Sequence, residues 1–389
     1  VLEKASEVGA HILSGAVIET VALDRLLPNW REMGSPIKTK VKKDKLSYFG
    51  KDWSFSIPQI LLPPLMKNHG NYIVSLGSVC KWLGEVAEGL GVEIYPGFSA
   101  AEVLFNDDGS VKGVATGDMG VSREMEAKDS WEAGMELHAK FTLFSEGTRG
   151  SLSKFLIDNF NLSEGKDFQK YAIGLKEVWE IKEENFSEGL VEHSMGWPLS
   201  DGTNGGSFLY HFDKNLVSIG YVIHLNYTNP YASPFDEFQQ FKTHPSVKKT
   251  LIGGKRLSYG ARAITTGGYQ SVPKLNFPGG ALIGCSAGFL NYPKIKGTHN
   301  AMESGMLAAE AIIEKKLSED ENNDLENYQL KYEKSRIFKE LKKVRNVKPY
   351  QSKYGPLLGT LLSGLDMWLS TFGFTMPFTL NHKKPDHKT

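Results

Sequence analysis

The stretch VLEKASEVGAHILSGAVIE (residues 1–19) contains three features that bear on the fold class. An apolar pair typical of the end of a buried strand comes first, Glu3 follows it directly, and a loop from Gly9 to Gly15 comes next. In a dinucleotide-binding βαβ unit, an acidic residue ends the second strand about 20 residues after a Gly-rich turn and binds the adenosine ribose. No G-x-G-x-x-G turn precedes Glu3 here. Either the pattern is accidental, or the sequence starts at the second strand of such a unit.

The composition limits the classes of function. At 389 residues the chain is long enough for two or three domains with sizeable cores. Lys and Arg total 45, as do Asp and Glu, so no overall basic charge indicates a nucleic-acid partner. Two cysteines rule out a disulfide framework and a four-cysteine metal or iron–sulfur site within these residues. No apolar run reaches the ~20 residues that a membrane span needs.

Two further segments have the strand–glycine–helix pattern of a ligand-binding turn. FTLFSEGTRGSLSKFL (residues 141–156) places Gly147 at such a turn, where backbone can approach a ligand, although an ordinary strand–helix junction looks the same. LIGCSAGF (residues 282–289) ends a second strand, and KGTHNAM (residues 296–302) begins the following helix. The chain contains an acidic strand end, then a Ser-Glu-Gly turn, then a second Gly turn. All three patterns in this order are less expected by chance than any single one. It indicates one binding domain built from separate segments.

The start of the helix after Gly297 favours a negatively charged ligand. Free backbone N–H groups from Gly297 to Asn300, together with the helix dipole, create an anion-binding pole. A flavin needs such a pole, because its reduced form carries negative charge at the N1–C2 carbonyl edge. The alternative is that Thr298 is an ordinary helix N-cap.

Long stretches of the sequence resemble the electron transfer flavoprotein–ubiquinone oxidoreductases, two-domain flavoproteins related to geranylgeranyl reductases. The resemblance covers nearly the whole chain and rests on strings such as GAHILSGA (9–16), NHGNYIVSLG (68–77), GVEIYPGFSAAEVLF (91–105), GWPLSDGTNGGSFLYH (196–211), NPYASPFDEFQQFKTHP (229–245) and GGYQSVPKLNFPGGALIGCSAGF (267–289). It implies an α/β plus α+β architecture, in which a discontinuous Rossmann-like FAD-binding domain holds an inserted β-rich quinone-binding domain. The family also has a C-terminal [4Fe–4S] domain.

The resemblance and the order of elements predict six segments. They are the first part of the FAD-binding domain (1–75), a helix and β-hairpin region (76–135), the second FAD-binding part (136–170), the ubiquinone-binding β-rich domain (171–268), the last FAD-binding part (269–320) and a membrane-proximal helical region (321–389).

The resemblance implies the activity of this family, a flavoprotein oxidoreductase that passes electrons from reduced electron transfer flavoprotein to ubiquinone. The implied cofactors are FAD in this chain and a [4Fe–4S] cluster only in the intact protein. The implied partners are electron transfer flavoprotein, ubiquinone and a membrane surface bound from one side, with no nucleic acid. The implied location is the matrix face of the mitochondrial inner membrane, or the inner membrane of a bacterium. No side chain is assigned a catalytic role, and no metal ligand is assigned.

The sequence departs from the family at both ends. The family's G-x-G-x-x-G turn and cluster-binding cysteines are absent, and Cys80 and Cys285 cannot replace the latter. The resemblance therefore implies that these residues start at the second strand and stop before the iron–sulfur domain. We expect this chain alone to bind FAD weakly and to be inactive, since the missing turn would hold the pyrophosphate.

The family's binding residues map onto this sequence position by position. Glu3 matches the ribose acid, and the remaining FAD positions are His11, Ser14, Gly15, Gly147, Gly284, Cys285, Gly297, Thr298 and Asn300. Gly205 and Gly206 match the glycine pair beside the quinone ring, because a flat ring approaches backbone closely only where there is no Cβ. A β-bulge or hairpin turn is the alternative for this pair. Tyr210 and His211 could donate to a quinone carbonyl, but core packing explains them better.

Several stretches could contact a membrane. Residues 16–30 are apolar and end in Trp30, and residues 53–66 place apolar side chains on a Pro-rich loop. Residues 328–349 alternate apolar and basic positions, which fits either an interfacial basic helix or a surface helix packed on a core. Residues 355–378 are apolar but contain Asp366, which fits a packed or interfacial segment better than a span.

Two other functions stay open on the sequence alone. One is a cluster-free relative, such as an FAD-dependent dehydrogenase or prenyl reductase. The other is a non-catalytic, membrane-associated polypeptide that binds no flavin. Flavin absorbance of the purified protein would separate the last from the rest.

Overall fold

The computed structural model describes residues 1–13, 15–199, 202–318 and 323–388. The strands of these residues are β1 (Leu2–Glu3), β2 (Ala16–Ile18), β3 (Thr39–Lys40), β4 (Lys43–Phe49), β5 (Ser54–Ile57), β6 (Tyr72–Val74), β7 (Tyr95–Pro96), β8 (Ala100–Phe105), β9 (Val111–Thr116), β10 (Met119–Val121), β11 (Ala127–Glu132), β12 (Glu136–His138), β13 (Thr142–Phe144), β14 (Tyr171–Glu180), β15 (Leu190–Gly196), β16 (Gly205–Phe212), β17 (Leu216–His224), β18 (Lys255–Thr265), β19 (Asn276–Phe277) and β20 (Gly280–Leu282). The helices are α1 (Val21–Leu26), α2 (Leu76–Gly89), α3 (Ser151–Asn159), α4 (Pro234–Thr243), α5 (Pro245–Leu251), α6 (Thr298–Leu317), α7 (Glu326–Lys334), α8 (Arg336–Lys343) and α9 (Val347–Thr371).

The largest sheet of the described residues has seven strands in the order β18-β14-β17-β16-β15-β4-β5. Neighbours are antiparallel except β15 and β4, which run parallel. The β-rich block expected at residues 171–268 thus forms most of one sheet. Two of its strands, β4 and β5, come from residues 43–57, so the sheet draws on a segment far earlier in the chain.

Both faces of this sheet are covered by protein. Tyr221 of β17 packs against Phe241 of α4 on one face, with ring centroids 5.2 Å apart. On the other face, Phe208 of β16 belongs to a cluster with Ile73 of β6. Because side chains alternate between the faces of a strand, this double cover explains why β16 and β17 are apolar almost throughout.

A second layer contains the parallel strands that precede the Gly turns. β13 pairs in parallel with β20, and β1 pairs in parallel with β7. The core around β20 is continuous with α3 and α6, where Leu156, Leu282 and Ala308 are each fully buried. The carboxyl ends of such strands are where open α/β sheets bind ligands.

The expectation that residues 16–30 contact a membrane is wrong for Trp30. This side chain is 1% exposed and packs at 5.8 Å against the Tyr72 ring. Its Nε1 donates to Asp24 Oδ1 at 2.7 Å. Trp30 is therefore part of a core and not an interfacial anchor.

The apolar side chains of α7 and α8 also face protein. Tyr332, Ile337 and Leu341 are at most 4% exposed and lie in the same core as β20. Of the two alternatives for residues 328–349, the structure therefore supports a surface helix packed on a core.

The last long helix, α9, is two helical segments joined at Gly355 (φ 75°, ψ −179°). Pro356 follows this break, as a residue that lacks the N–H needed to continue a helix. Within the ranges described, no helix is long and apolar enough to cross a membrane.

Candidate functional site

Glu3 ends β1 as the sequence predicts. One of its carboxylate oxygens accepts a hydrogen bond from the Ala5 backbone N–H at 2.7 Å. The side chain is half-buried. The second oxygen leaves Glu3 able to accept from a ribose hydroxyl.

The loop after β1 is fixed against the large sheet. The Gly15 carbonyl accepts from Lys176 Nζ at 3.2 Å, and the His11 carbonyl accepts from Arg262 Nη2. Gly15 has φ +95°, and a Cβ at this position would overlap the Ser218 side chain. Both the positive φ and the lack of space for a Cβ therefore require glycine at this position. Ser14, another expected FAD contact, lies outside the described residues.

The SEG turn is held by its glutamate. Glu146 accepts from the Ser153 backbone N–H at 2.6 Å and from Ser153 Oγ at 2.7 Å, which caps the start of α3. A Cβ at Gly147 would meet no atom within 4 Å, so this residue borders open space. The sequence prediction gives Glu146 no role, although a carboxylate just before a helix is a capping signal.

The turn after β20 lies beside the SEG turn. Ser286 Oγ donates to the Gly147 carbonyl at 3.3 Å, and the Gly284 N–H donates to Ser304 Oγ of α6 at 2.9 Å. Cys285 is exposed, yet surrounding protein desolvates its thiol and raises its pKa. The hydrogen bond from Ser286 to Gly147 therefore places the two turns, with Gly147, Gly284 and Cys285, side by side.

The N-terminus of α6 is not capped by a side chain among the described residues. Gly297, and not Thr298, occupies the N-cap position. Asn300 is fully buried, and its Nδ2 donates to the Phe289 carbonyl at 3.0 Å. Its Oδ1 finds no partner among the described atoms. The backbone N–H groups at the start of α6 are thus not bonded by a capping side chain, which leaves them available to an anion.

A buried polar network adjoins this helix. The His299 Nε2 and Glu340 Oε1 atoms are 3.1 Å apart, and Lys294 Nζ lies 2.9 Å from Glu19 and 3.2 Å from Glu340. Desolvation acts to raise the pKa of Glu340, but hydrogen bonding to His299 and the charge of Lys294 lower it to about 2. Glu19, His299 and Glu340 are close enough to chelate a metal ion. The Lys294 ammonium already supplies the positive charge between the two carboxylates.

Gly205 and Gly206 are regular ladder residues at the start of β16, opposite Ile223 and Val222. Neither a hairpin turn nor a bulge is present at this pair. A Cβ at Gly205 would lie 2.5 Å from Leu199 Cδ1, and one at Gly206 would lie 2.7 Å from the Ser194 carbonyl oxygen. The packing of the sheet itself therefore demands glycine at both positions.

Tyr210 and His211 are core residues, as packing predicts. Tyr210 OH lies 2.8 Å from His193 Nε2, and His211 Nδ1 accepts from the Ser187 N–H at 3.1 Å. Both side chains are at most 4% exposed.

An exposed apolar face joins two distant parts of the chain. We call it the apolar face; its members are Trp53, Phe55, Ile60, Leu61, Leu357, Leu361 and Leu365, each more than half exposed. Trp368 Nε1 donates to the Leu61 carbonyl at 3.0 Å, which fixes the loop of residues 59–66 beside α9. The predicted exposure of the Pro-rich stretch is confirmed for Trp53, Phe55, Ile60 and Leu61, whereas Leu62 is buried and residues 54–57 form strand β5. Exposed apolar side chains gathered from two segments in this way are typical of a site for lipid or another apolar partner.

The structure contains a buried contact between a lysine ammonium and an imidazole that the sequence analysis does not predict. Lys348 Nζ of α9 lies 3.0 Å from His224 Nδ1 at the end of β17. The two residues are 124 positions apart, so no local pattern could have paired them.

The sequence is similar to one family model and to several curated proteins. The family model "ETF-QO, ubiquinone-binding" matches residues 171–264. The electron transfer flavoprotein-ubiquinone oxidoreductase of Pseudomonas aeruginosa is 50% identical over 390 residues, which span 100% of this chain and 70% of that protein. The human mitochondrial protein of the same name is 49% identical over 394 residues, 99% of this chain and 63% of that one. The chain from Dictyostelium discoideum is 47% identical over 401 residues, 100% of this chain and 65% of that one. The chain thus spans 63% to 70% of the length of these curated relatives.

Solved structures share the fold at low identity. A geranylgeranyl bacteriochlorophyll reductase-like protein from Thermoplasma acidophilum superposes with a TM-score of 0.60 at 15% identity, covering 96% of this chain and 82% of that one. The flavin-dependent halogenase CmlS superposes with a TM-score of 0.61 at 14% identity, covering 93% of this chain and 62% of that one. The expected fold class, a Rossmann-like domain with an inserted β-rich domain, is confirmed.

Proposed function

This chain belongs to the electron transfer flavoprotein–ubiquinone oxidoreductase family, and we propose that the complete protein passes electrons from reduced electron transfer flavoprotein to ubiquinone. The observation that carries the proposal is identity near one half over the whole chain, in Pseudomonas aeruginosa and in human relatives alike. The ubiquinone-binding match from 171 to 264 supports the assignment of the large sheet to the quinone. Under this proposal the predicted segments keep their assigned roles, except that residues 43–57 belong to the large sheet and not to the FAD-binding part.

We propose FAD as the cofactor of this chain, and the residues present fit it. Gly147 borders open space, Cys285 is exposed, and the uncapped N-terminus of α6 supplies N–H groups to an anionic ring edge. The residues that would hold FAD are Glu3, His11, Ser14, Gly15, Gly147, Gly284, Cys285, Gly297, Thr298 and Asn300. Bound FAD supplies one- and two-electron transfer.

The chain's own residues orient and shield this cofactor. Glu3 offers a carboxylate oxygen to the ribose, and Lys176 fixes the loop around Gly15 against the large sheet. The hydrogen bond from Ser286 to Gly147 fixes the two glycine turns beside each other. A [4Fe–4S] cluster is proposed for the complete protein only, with ligands other than Cys80 and Cys285.

The apolar face is proposed to contact a membrane surface from one side. Ubiquinone is insoluble in water, so its site has to open toward lipid. Gly205 and Gly206 are proposed to border the quinone ring. The proposed location is the matrix face of the mitochondrial inner membrane, or the inner membrane of a bacterium.

Steady-state assay of the full-length protein tests this function. We expect flavin absorbance, and reduction of a short-tailed ubiquinone when reduced electron transfer flavoprotein is the donor. A flavin-loaded protein that accepts electrons from this donor but never reduces ubiquinone would contradict the proposal. Absence of flavin from a folded full-length protein would contradict the FAD assignment.

A further inference from the structure

Lys348 and His224 form a buried contact that the function described so far does not use. Lys348 is 3% exposed and His224 is 2% exposed, and their Nζ and Nδ1 atoms lie 3.0 Å apart. Among the described residues, no carboxylate lies within salt-bridge distance of the Lys348 ammonium. A buried ammonium without a bonded counter-charge is costly and tends to release its proton.

The contact fixes the tautomer of the imidazole. The Lys348 ammonium can only donate, so His224 Nδ1 accepts and the imidazole hydrogen lies on Nε2. Desolvation by burial lowers the pKa of Lys348 to about 7, against opposition from Asp386. Burial also lowers the pKa of His224 well below its usual value. The lysine is thus the member of the pair that carries a proton near neutral pH.

The pair lies beside the glycines assigned to the quinone. Gly205 faces Ile223 in the ladder, and the His224 N–H donates to the Asn204 carbonyl at 3.0 Å. His224 is therefore the next rung of the sheet after the glycine pair. His224 and Val222 are two residues apart on β17, so their side chains share one face of the sheet, opposite the face of Ile223.

A continuous apolar layer connects the pair with the apolar face. The Tyr292 ring packs edge-on against His224 at 5.3 Å, and Lys348 Nζ lies 5.7 Å from the same ring. Tyr292 in turn packs in a cluster with Met66 and Met367. These two methionines belong to the loop and the helix that present the apolar face.

We propose that His224 and Lys348 deliver a proton to the quinone oxygen as the quinone is reduced. The inference rests on the proposed function, which supplies two electrons to ubiquinone; two protons must also arrive to give ubiquinol. His224 gives its Nε2 proton to a reduced quinone oxygen and takes the Lys348 proton at Nδ1. This leaves Lys348 neutral and the imidazole hydrogen on Nδ1, so the pair supplies one of the two protons and the other comes from solvent. When ubiquinol leaves, Nε2 takes a proton from solvent and Nδ1 returns its proton to Lys348, which restores the pair.

Other ionisable groups surround the pair and set its pH response. Lys170 bonds Asp386 at 2.6 Å, and its charge opposes protonation of Lys348 while that of Asp386 favours it. His382 lies within electrostatic range of Lys348, and Tyr292 contributes only its ring and a hydroxyl bonded to Gln351.

The test compares two acceptors in the full-length, flavin-loaded protein. A short-tailed ubiquinone needs electrons and protons, whereas ferricenium needs an electron alone. In Lys348→Met we expect the ratio of the quinone rate to the ferricenium rate to fall at least ~10-fold, within the range of general acid catalysis. Lys348→Arg keeps the charge but holds its proton too tightly to give it up, so we expect the same fall. Lys353→Met, on the same helix, is the matched control and should leave the ratio unchanged.

The pH profile gives a second, independent measure. In the unaltered protein the rate of quinone reduction should fall as the pH rises through about 7. The rate of ferricenium reduction should not fall over this range. Ratios within about twofold of the unaltered protein in both Lys348 variants would overturn the proposal. If the variants do not retain flavin, a pH-independent ratio in the unaltered protein would overturn it as well. A protein that never reduces ubiquinone would instead contradict the proposed function.

Discussion

Individual glycines in this chain serve packing as well as ligand approach, and the structure separates the two uses. Gly147 borders open space, as a residue beside a ligand should. Gly205 and Gly206 are instead crowded by Leu199 and Ser194 of their own chain. Replacing either by valine would disrupt the sheet whether or not a quinone binds, so loss of quinone turnover in such variants would not identify a quinone contact.

Gly15→Ala should destabilise the protein more than a glycine substitution at a turn with free space. The new Cβ overlaps Ser218, and overpacking costs ~1–3 kcal/mol in addition to the strain at positive φ. Gly34→Ala is the control, because Gly34 has φ +72° with no atom within 4 Å of a Cβ. Urea unfolding of both variants measures the difference. Equal losses of unfolding free energy would contradict the crowding at Gly15.

At the scale of elements, amphipathic pattern alone did not separate membrane-facing from core-facing helices. α8 alternates basic and apolar residues, yet Ile337 and Leu341 are fully buried against protein. In α9 the corresponding apolar residues Leu361 and Leu365 are 65% and 56% exposed. They lie four residues apart and therefore share one side of the helix. The exposed helix, not the basic one, is the element suited to lipid.

Leu361→Glu should weaken binding of the full-length protein to lipid vesicles. Full burial of a leucine side chain contributes ~1.5–3 kcal/mol, so its loss lowers the partition coefficient at least ~10-fold. Sedimentation with vesicles of zwitterionic lipid measures this. Leu317→Glu, a change at a side chain 79% exposed at the end of α6, is the control. Equal binding by both variants would contradict the proposed membrane contact at the apolar face.

For the whole molecule, buried lysines couple folding to pH. Burial lowers the pKa of Lys348 to about 7 and the pKa values of Lys176 and Lys296 to about 8. Each lies below the ~10.4 expected in the unfolded chain. Between these values the unfolded chain binds more protons than the folded one, so the free energy of unfolding rises with pH.

We therefore expect stability to increase from about pH 7 to about pH 9, by up to ~1.4 kcal/mol per pH unit for each proton released on folding. Urea unfolding at several pH values measures the slope. Lys348→Met should reduce the slope, and Lys353→Met should not. A free energy of unfolding that falls over this range would mean that these lysines are not desolvated in the folded protein.

The sequence alone determined the fold class and most of the proposed cofactor positions. Strand ends followed by an acid or a glycine are local features, and they predicted the turns at Glu3, Gly147 and Gly284. Family-specific strings added the identity of the inserted domain, because such strings are much more specific than any short glycine pattern.

Only the tertiary structure decided which surfaces and side chains come together. Burial of Trp30 and of the apolar side of α8 depends on elements remote in sequence, so amphipathicity could not reveal it. The contact of Lys348 with His224 forms across 124 residues, and the apolar face combines a loop near residue 60 with a helix near residue 360. The physical reason is that periodicity reports the polarity of one element, whereas desolvation and proximity depend on what packs against it.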